Sequence, residues 1–267
     1  MTDVVIHGAA GRMGKRLIAL GAADTSLRIV AALESPNCPV LGEDAGVVAG
    51  AGPLGIKLTA QLAEDARPAA LIDFSTPAGA AAATELARAR KLPLVMATTG
   101  LSDELKQQLH ELANEIPLVW APNMSLAVNL TMQLAENAAR TLNQLGTSAD
   151  VEIIERHHRY KEDAPSGTAL KFGEIIAEAM GQTRHVHGRE GLTGKRPADE
   201  IGYHALRVGD NPGEHTIVFG MLGETIELTV RATNRDCYAL GALEAAKFVA
   251  RQAPGLYTMH DVLMSGG

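Results

Sequence analysis

A strand, a glycine turn and a helix at the start of the chain constrain the fold more than any other feature. Residues 4–6, Val-Val-Ile, are apolar and mostly β-branched, and a glycine-rich turn at residues 7–14 follows directly. A helix is predicted next, with Leu17, Ile18 and Leu20 on its apolar side. The glycines are spaced G-x-x-G-x-x-G, one residue away from the commonest dinucleotide fingerprint. This order of elements predicts a nucleotide-binding α/β domain.

An acidic residue bears on the choice of nucleotide. Glu34 ends a second predicted strand, residues 27–33, twenty residues after the last glycine of the turn. A carboxylate there can accept hydrogen bonds from the adenosine ribose of NAD and repels the 2′-phosphate of NADP. Ser35 follows, where an arginine would favour NADP. Three basic side chains lie near enough in sequence to compensate: Arg12, Lys15 and Arg16. The sequence favours NADH and leaves NADPH open; the alternative is an ordinary surface glutamate after a glycine turn.

Apolar strands alternate with helices over the rest of the first half. Strands are predicted at residues 69–74, 93–97 and 117–120, while the glycine-rich residues 42–55 are expected to form turns. This alternation predicts right-handed crossovers and a parallel sheet. Each strand ends in small, hydroxyl or amide residues, and ligands of such sheets bind beyond the carboxyl ends of the strands. A long helix, residues 126–144, is predicted to lead into a second domain.

The second half has a different pattern. Four extended runs are predicted there: residues 184–189, 201–208, 214–219 and 224–232. The last of them alternates polar and apolar side chains, which is typical of a sheet with one face in water. Consecutive strands without helices between them indicate a mixed or antiparallel sheet. These runs are expected to form a second α+β domain.

A basic loop before a helix carries the strongest functional signal. A strand is predicted at residues 151–155, and residues 156–161 are all basic or aromatic. Pro165 excludes a continuous helix, and Ser166 is a good N-cap for a helix that ends near Gly181. Backbone amides at a helix start favour a carboxylate or phosphate, and histidine titrates near neutral pH. The alternative is a solvated basic loop followed by an ordinary capped helix.

Residues 152–169 closely resemble the signature of the dihydrodipicolinate reductase family, also called 4-hydroxy-tetrahydrodipicolinate reductases. That signature reads E-hydrophobic-x-E-x-H-H-x-x-K-x-D-x-P-S-G-T-A. The matching residues are Glu152, Glu155, His157, His158, Lys161, Asp163, Pro165, Ser166, Gly167, Thr168 and Ala169. Residues 8–14 match the G-x-x-G-R-M-G turn of the family. The resemblance extends to its D-F-S/T, G/A-T-T-G and A-x-N-x-S stretches, with Ala97 standing where many members have glycine.

The resemblance implies a fold and an activity. The fold is α/β, with a Rossmann-type parallel sheet in the cofactor domain, residues 1–125 with 236–267. A mixed sheet is expected in a second α+β domain, residues 126–235, that binds the substrate and assembles a homotetramer. The activity is NAD(P)H-dependent reduction of a small cyclic dicarboxylate, 4-hydroxy-tetrahydrodipicolinate, to tetrahydrodipicolinate in diaminopimelate and lysine biosynthesis. His157 is then the proton donor or acceptor and Lys161 a proton donor; which of the two delivers the decisive proton stays open.

The resemblance also assigns binding residues. Substrate-binding residues are His158, Ser166, Gly167 and Thr168. Cofactor-binding residues are Gly8, Ala9, Ala10, Gly11, Arg12, Met13, Glu34, Phe74, Ala97, Thr98, Thr99, Ala121, Pro122, Asn123 and Met124. The histidines on predicted strands, among them His204 and His215, are expected to have structural roles, and His7 a role in local packing or at the surface.

Composition narrows the remaining choices. The net charge of −7 argues against a nucleic-acid or anionic-membrane partner. No apolar run approaches the ~20 residues of a membrane span and no leader precedes the first strand, so a cytoplasmic location is expected. Cys38 and Cys237 lack the spacing of a zinc site or a disulfide framework, and adjacent His157 and His158 lack that of a catalytic metal site.

Two competing functions remain. One is another Rossmann-type dehydrogenase; against it, no cysteine occupies a plausible nucleophile position, and the basic loop favours a dicarboxylate. The other is a non-catalytic NAD-binding redox sensor, which would require neither His157 nor Lys161.

Overall fold

The computed structural model describes residues 1–146 and 149–265. They divide into two compact units, one of Met1–Leu126 with the described part of Arg235–Gly267, the other of Ala127–Asn234. In the part of the chain that is described, no helix combines the length and the apolar composition needed to cross a bilayer.

The described residues form twelve strands and eight helices, numbered in chain order. The strands are β1 (Thr2–His7), β2 (Leu27–Leu33), β3 (Leu58–Thr59), β4 (Ala70–Asp73), β5 (Leu94–Met96), β6 (Pro117–Trp120), β7 (Asp150–His157), β8 (Arg184–His187), β9 (Glu200–Arg207), β10 (Gly213–Met221), β11 (Glu224–Ala232) and β12 (Gly255–Tyr257). The helices are α1 (Arg12–Ala23), α2 (Ala45–Ala49), α3 (Pro77–Arg90), α4 (Asp103–Leu112), α5 (Leu126–Gln144), α6 (Gly167–Met180), α7 (Asp236–Val249) and α8 (Met259–Met264).

The first unit is a seven-stranded sheet in the order β12-β6-β5-β4-β1-β2-β3, and all its pairings are parallel. Successive side chains of β1 enter different cores, because a strand points alternate residues to opposite faces. Ile6 packs with Ile18 of α1 and Leu243 of α7. On the other face, Val5 packs in the cluster that contains Leu109 of α4. The predicted parallel sheet is confirmed, and the structure adds that helices cover both of its faces.

The second unit is a five-stranded mixed sheet in the order β11-β10-β7-β9-β8. Strand β10 is antiparallel to β11 and β7, whereas β7, β9 and β8 run parallel. One sheet face shares a hydrophobic cluster with α5 and α6, in which Ile153, Phe172 and Phe219 are fully buried. The predicted mixed sheet is confirmed.

Several short elements differ from expectation. Within the glycine-rich residues 42–55, predicted as turns, lies the five-residue helix α2. The Asp44 carboxylate supports it by accepting hydrogen bonds from four backbone amides, those of Gly46, Val47, Leu54 and Gly55. Strands β3 and β12 and helix α8 were not predicted, since elements this short depend on neighbours rather than on a periodic pattern. The extended run expected at residues 184–189 ends as a strand at His187.

Candidate active site

The glycine turn closes tightly against the end of β2. Gly8 has a φ of +77°, a conformation that L side chains rarely adopt. The amides of Gly8 and Ala9 both donate to the carbonyl of Leu33, at 3.0 Å each. A Cβ at Gly14 would lie 2.1 Å from the carbonyl oxygen of Gly8, so only glycine allows α1 to start this close to the turn. The turn therefore presents the start of α1 at the carboxyl edge of the sheet.

The Glu34 carboxylate rests on this turn. Its Oε2 accepts from the amide of Ala10 at 2.9 Å, and its Oε1 accepts from the amide of Ser35 at 2.8 Å. Glu34 is half-buried. Among the nearby basic side chains, Arg16 is held by two hydrogen bonds to Asp236, at 2.6 and 2.8 Å. An acidic group at the end of β2, beside a glycine turn that leads into a helix, fits the ribose and pyrophosphate of a dinucleotide.

The ends of β1, β4 and β5 are joined through one buried carboxylate. Asp73, fully buried, accepts from Nδ1 of His7, Oγ of Ser75 and Oγ1 of Thr98, each at 2.6 Å. The amide of Ser75 donates in turn to Thr98 Oγ1 at 2.9 Å. This network holds the segments around Phe74 and Thr98 in fixed positions. The structure thus gives His7 a specific partner, where the sequence indicated only packing or a surface position.

The predicted cofactor residues gather along this one edge of the first unit. The glycine turn, Glu34, Phe74, residues 97–99 and residues 121–124 all follow the carboxyl ends of neighbouring parallel strands. Among them Ala97, Thr98, Ala121 and Met124 are buried, whereas Thr99 and Pro122 are exposed. Backbone bonds tie the loops to the sheet: the amide of Ala97 donates to Asp73 and that of Ala121 to Met96.

The second unit holds the predicted catalytic loop. Strand β7 ends at His157, which is buried. The loop after it is anchored to residues 208–211, because the amide of Val208 donates to His157, that of His158 to Asn211 and that of Arg159 to Gly209. These backbone hydrogen bonds hold the basic run in place at the carboxyl end of β7, so it differs from a free solvated loop.

Glu155 is the centre of a buried polar network behind this loop. Its Oε2 lies 2.5 Å from His157 Nδ1, and Arg207 donates to both of its oxygens at 2.8 Å. The amide of Ser166 donates to its Oε1 at 3.1 Å. Burial alone would raise the pKa of Glu155, but the hydrogen bonds from His157 and Arg207 outweigh burial and hold that pKa at about 2. The carboxylate is therefore ionised at any ordinary working pH.

Helix α6 begins as the sequence predicted, with Ser166 as its N-cap and Gly181 at its end. Ser166 Oγ accepts from the amide of Ala169 at 3.2 Å and lies 3.0 Å from Nε2 of the buried His215. Gly167 is exposed, and a Cβ placed on it would meet no atom within 4 Å. The start of α6 is therefore open on the side of Gly167, as an anion-binding helix start requires.

Two further residues of the loop, Lys161 and His158, differ in their hydrogen-bond partners. Lys161 Nζ donates to both carboxylate oxygens of Asp163, at 2.7 and 2.9 Å. The hydrogen bond from Lys161 is the main cause that lowers the pKa of Asp163. Among the described residues, His158 Nδ1 is buried without a hydrogen-bond partner. An unsatisfied buried nitrogen is uncommon in folded proteins, which makes this atom a candidate for contact with a ligand.

Four residues of these networks were missed at the sequence level. Arg207 and His215 are 50 and 58 residues from His157 in the chain, yet β9 places Arg207 opposite His157 and β10 places His215 opposite Glu155. Asp73 and His7 were passed over as the end of a strand and a packing residue. For Asp73 and His7, the available signal was that each is a polar residue at the end of an otherwise apolar strand. No local pattern in the sequence links Arg207 and His215 to His157 and Glu155, whereas the strand register does.

No group of three or more His, Cys, Asp or Glu side chains suited to a metal ion occurs over residues 1–146 and 149–265. The parallel sheet, the glycine turn and the acidic end of β2 define the class as a two-unit protein with a Rossmann-type, dinucleotide-binding first unit.

Comparison with known proteins specifies the family. Residues 2–124 match the model of the dihydrodipicolinate reductase N-terminus, and residues 127–263 match that of its C-terminus. The 4-hydroxy-tetrahydrodipicolinate reductase of Rhodopirellula baltica is 58% identical, over 98% of this chain and 95% of the relative. That of Alkalilimnicola ehrlichii is 48% identical, over 98% of both chains. The chain belongs to the dihydrodipicolinate reductase family.

Solved structures agree with this assignment. A dipicolinate-bound dihydrodipicolinate reductase from Paenisporosarcina sp. TG-14 superposes with a TM-score of 0.78 at 27% identity, over 98% of each chain. An amine dehydrogenase from Mycobacterium smegmatis has a TM-score of 0.64 at 13% identity, over 97% of this chain and 95% of the other, and shares the fold alone.

Proposed function

We propose that this protein reduces 4-hydroxy-tetrahydrodipicolinate to tetrahydrodipicolinate in diaminopimelate and lysine biosynthesis. The observation that carries the proposal is the ordered loop of the second unit, which ends on the open start of α6 and holds His157 against a buried carboxylate. A small dianionic ring needs both features, cations with backbone amides for its carboxylates and a proton donor for its reduction. Family membership supports the same reaction.

The proposed roles follow from the contacts of each side chain. His157 exchanges the proton, with Lys161 as a second proton donor whose Nζ is held near the loop by Asp163. His158, Gly167 and Thr168 bind a substrate carboxylate. Ser166 uses its amide and its hydroxyl within the protein, so its part in substrate binding is to fix the start of α6. His158 Nδ1, buried and without a partner among the described residues, is available to the substrate.

The first unit is proposed to hold the nucleotide on the glycine turn, Glu34 and the loops after β4, β5 and β6. A reduced nicotinamide supplies the hydride. NADH is the proposed preference, because a carboxylate at the end of β2 repels the 2′-phosphate of NADPH and Arg16 is already paired with Asp236. Arg12 and Lys15 remain as the side chains that could admit NADPH.

The test is oxidation of NADH and of NADPH, followed by absorbance, with the substrate generated in situ by a dihydrodipicolinate synthase. Rapid oxidation that depends on the synthase product is expected, faster with NADH. Measurable NADH binding without oxidation would favour the redox sensor, and oxidation with a different carbonyl or imine substrate would favour another dehydrogenase.

Replacement of Glu34 tests the cofactor preference separately. Glu34→Ala removes the ribose acceptor, so the Kd for NADH should rise roughly tenfold, or about 1–2 kcal/mol, while the Kd for NADPH should rise less or fall. Glu43→Ala, an exposed glutamate of the same unit, is the control. Fluorescence titration of both nucleotides measures the effect. An equal loss for both nucleotides would remove Glu34 from the ribose site.

A homotetramer is proposed on the resemblance to the family. The sheet of the second unit has one face away from the cluster formed with α5 and α6, and Ile154 and Leu206 are 38% and 44% exposed there. Exposed large apolar side chains on a sheet face are a common feature of subunit interfaces. Sedimentation at working concentration should give the mass of four chains; a monomer would refute the assembly.

A further inference from the structure

The carboxylate of Glu155 has no hydrogen-bonding capacity to spare. Arg207 Nη2 and the amide of Ser166 donate to Oε1, at 2.8 and 3.1 Å. Arg207 Nη1 at 2.8 Å and His157 Nδ1 at 2.5 Å lie on Oε2. An ionised carboxylate offers about four acceptor positions, and all of them are used here. The position and rotation of this carboxylate are therefore fixed by four contacts from three parts of the unit.

The carboxylate determines which nitrogen of His157 can exchange a proton. An ionised carboxylate can only accept hydrogen bonds, so Nδ1 of His157 must carry a hydrogen in both charge states of the ring. Nε2 is then the atom that gains and loses the proton. When it gives up its proton, His157 passes from imidazolium to the neutral tautomer with hydrogen on Nδ1, and the proton goes to the reacting ring of the substrate.

The same carboxylate supports the helix start that is proposed to bind the substrate. Its bond to the amide of Ser166 places the N-cap of α6. Ser166 Oγ accepts from the amide of Ala169, so its own hydrogen is free to be donated to Nε2 of His215. Burial, aided by the nearby charge of His157, lowers the pKa of His215 to about 4. His215 is therefore neutral near pH 7 and accepts that hydrogen.

We propose that Glu155 is a positioning residue. Its carboxylate fixes both the proton-exchanging nitrogen of His157 and the anion-binding start of α6, and Arg207 holds the carboxylate in place. The inference rests on the proposed function and names a residue through which that site acts. His215 completes the arrangement, because its ring lies edge-on to that of His157, with centroids 5.2 Å apart, and adds no second charge.

Glu152 provides a matched control on the same strand. It lies three residues before Glu155 and is held by the same kinds of partner, with Arg189 and Arg196 on Oε1 and His204 Nε2 at 2.7 Å from Oε2. Burial alone would raise the pKa of Glu152, but the hydrogen bonds from Arg189 and His204 outweigh burial and hold that pKa at about 2. Its side chain lies on the opposite face of the sheet from that of Glu155, because the two residues are three positions apart in one strand. Glu152→Gln therefore perturbs a similar network on the other face, and sedimentation checks that the oligomeric state of this variant is unchanged.

The test combines turnover with the tautomer of His157. In the full-length protein, ¹⁵N NMR of labelled histidine, with His157 assigned by loss of its signals in His157→Ala, should show the neutral ring with hydrogen on Nδ1. Glu155→Gln should shift this ring toward the Nε2–H tautomer, because an amide can also donate to Nδ1. It should also lower kcat roughly 10²-fold, with the KM for NADH nearly unchanged. Glu152→Gln should change neither.

Each other result counts against the proposal. A wild-type His157 with hydrogen on Nε2 would overturn it even if Glu155→Gln did not fold. A fall in kcat without a change of tautomer would show that Glu155 has a structural role only, and so would an equal fall in Glu152→Gln. If the wild-type protein does not oxidise NADH with the synthase product, the proposed function fails, while the tautomer measurement still decides the role of Glu155.

Discussion

Asp73 in the first unit and Glu155 in the second are both buried carboxylates in strands, but their hydrogen-bond donors differ in kind. Two of the three side chains on Asp73 are hydroxyls, those of Ser75 and Thr98, and the third is His7. Glu155 is held by the guanidinium of Arg207 and by a backbone amide as well as by His157. A hydroxyl can turn and accept a hydrogen bond, whereas a guanidinium or an amide N–H can only donate.

The difference bears on what each carboxylate contributes. The network of Asp73 joins the ends of three strands and can adapt to a changed partner. The network of Glu155 has one arrangement while the carboxylate is ionised, because the guanidinium of Arg207 and the amide of Ser166 can only donate. A rigid arrangement suits the proton exchange proposed for one ring nitrogen of His157, and an adaptable one suits the loops that are proposed to support the nucleotide.

Loss of the proposed proton donors should have the largest effect and should be confined to turnover. His157→Ala is expected to lower kcat by roughly 10²- to 10⁴-fold, the usual contribution of general acid–base catalysis. Lys161→Ala should also lower kcat. Both residues lie in the second unit, so the Kd for NADH should stay nearly constant in each variant, as measured by fluorescence titration. A large loss of NADH binding would contradict the assignment of cofactor binding to the first unit and of proton transfer to the second.

Removal of the guanidinium from the network of Glu155 should be the most damaging change to stability. Arg207→Met leaves a buried carboxylate without the guanidinium that donates to both of its oxygens, at a cost of about 3–5 kcal/mol in the free energy of unfolding. Urea unfolding measures this cost. Lys171→Met is the control, since Lys171 forms an exposed pair with Glu174 worth about 0–1 kcal/mol. If the two variants were equally stable, Glu155 would not depend on Arg207.

Acid should weaken the fold through the same group. The pKa of Glu155 is about 2 in the folded protein against an ordinary value of 4.5, so between these values the unfolded chain binds a proton that the folded chain does not. Stability from Glu155 is therefore fully present above pH 4.5 and is lost as the pH falls toward 2. Urea titrations over this range give the slope of the unfolding free energy against pH. In Glu155→Gln this slope should be smaller, by an amount that corresponds to about one bound proton. An unchanged slope would contradict the depressed pKa.

Neutralising the other buried carboxylate should have a milder effect. Asp73→Asn keeps one acceptor oxygen, and the hydroxyls of Ser75 and Thr98 can reverse to accept from the new amide. The expected cost is about 1–2 kcal/mol in the free energy of unfolding. Asp103→Asn, in an exposed pair with Lys106, should cost less than about 1 kcal/mol. A loss for Asp73→Asn as large as that for Arg207→Met would remove the contrast between the two networks.

Much of the architecture could be predicted because its signals are local. The glycine turn, the long helix α5 and the cap residues of α6 lie where the sequence placed them, since caps, turns and periodic apolar faces depend on residues a few positions apart. The glycine-rich residues 42–55 show the limit of such signals. Their short helix depends on Asp44 binding the amides of Leu54 and Gly55, ten and eleven residues away.

By itself the sequence determined the order of the longer elements, the two kinds of sheet and the basic loop that leads into α6. Only the tertiary structure decided that Arg207 and His215 join Glu155 and His157, and that His7 joins Asp73. The physical reason is strand register: a shift of one residue in β9 or β10 would turn these side chains to the other face of the sheet, and register is set by packing of the whole buried face.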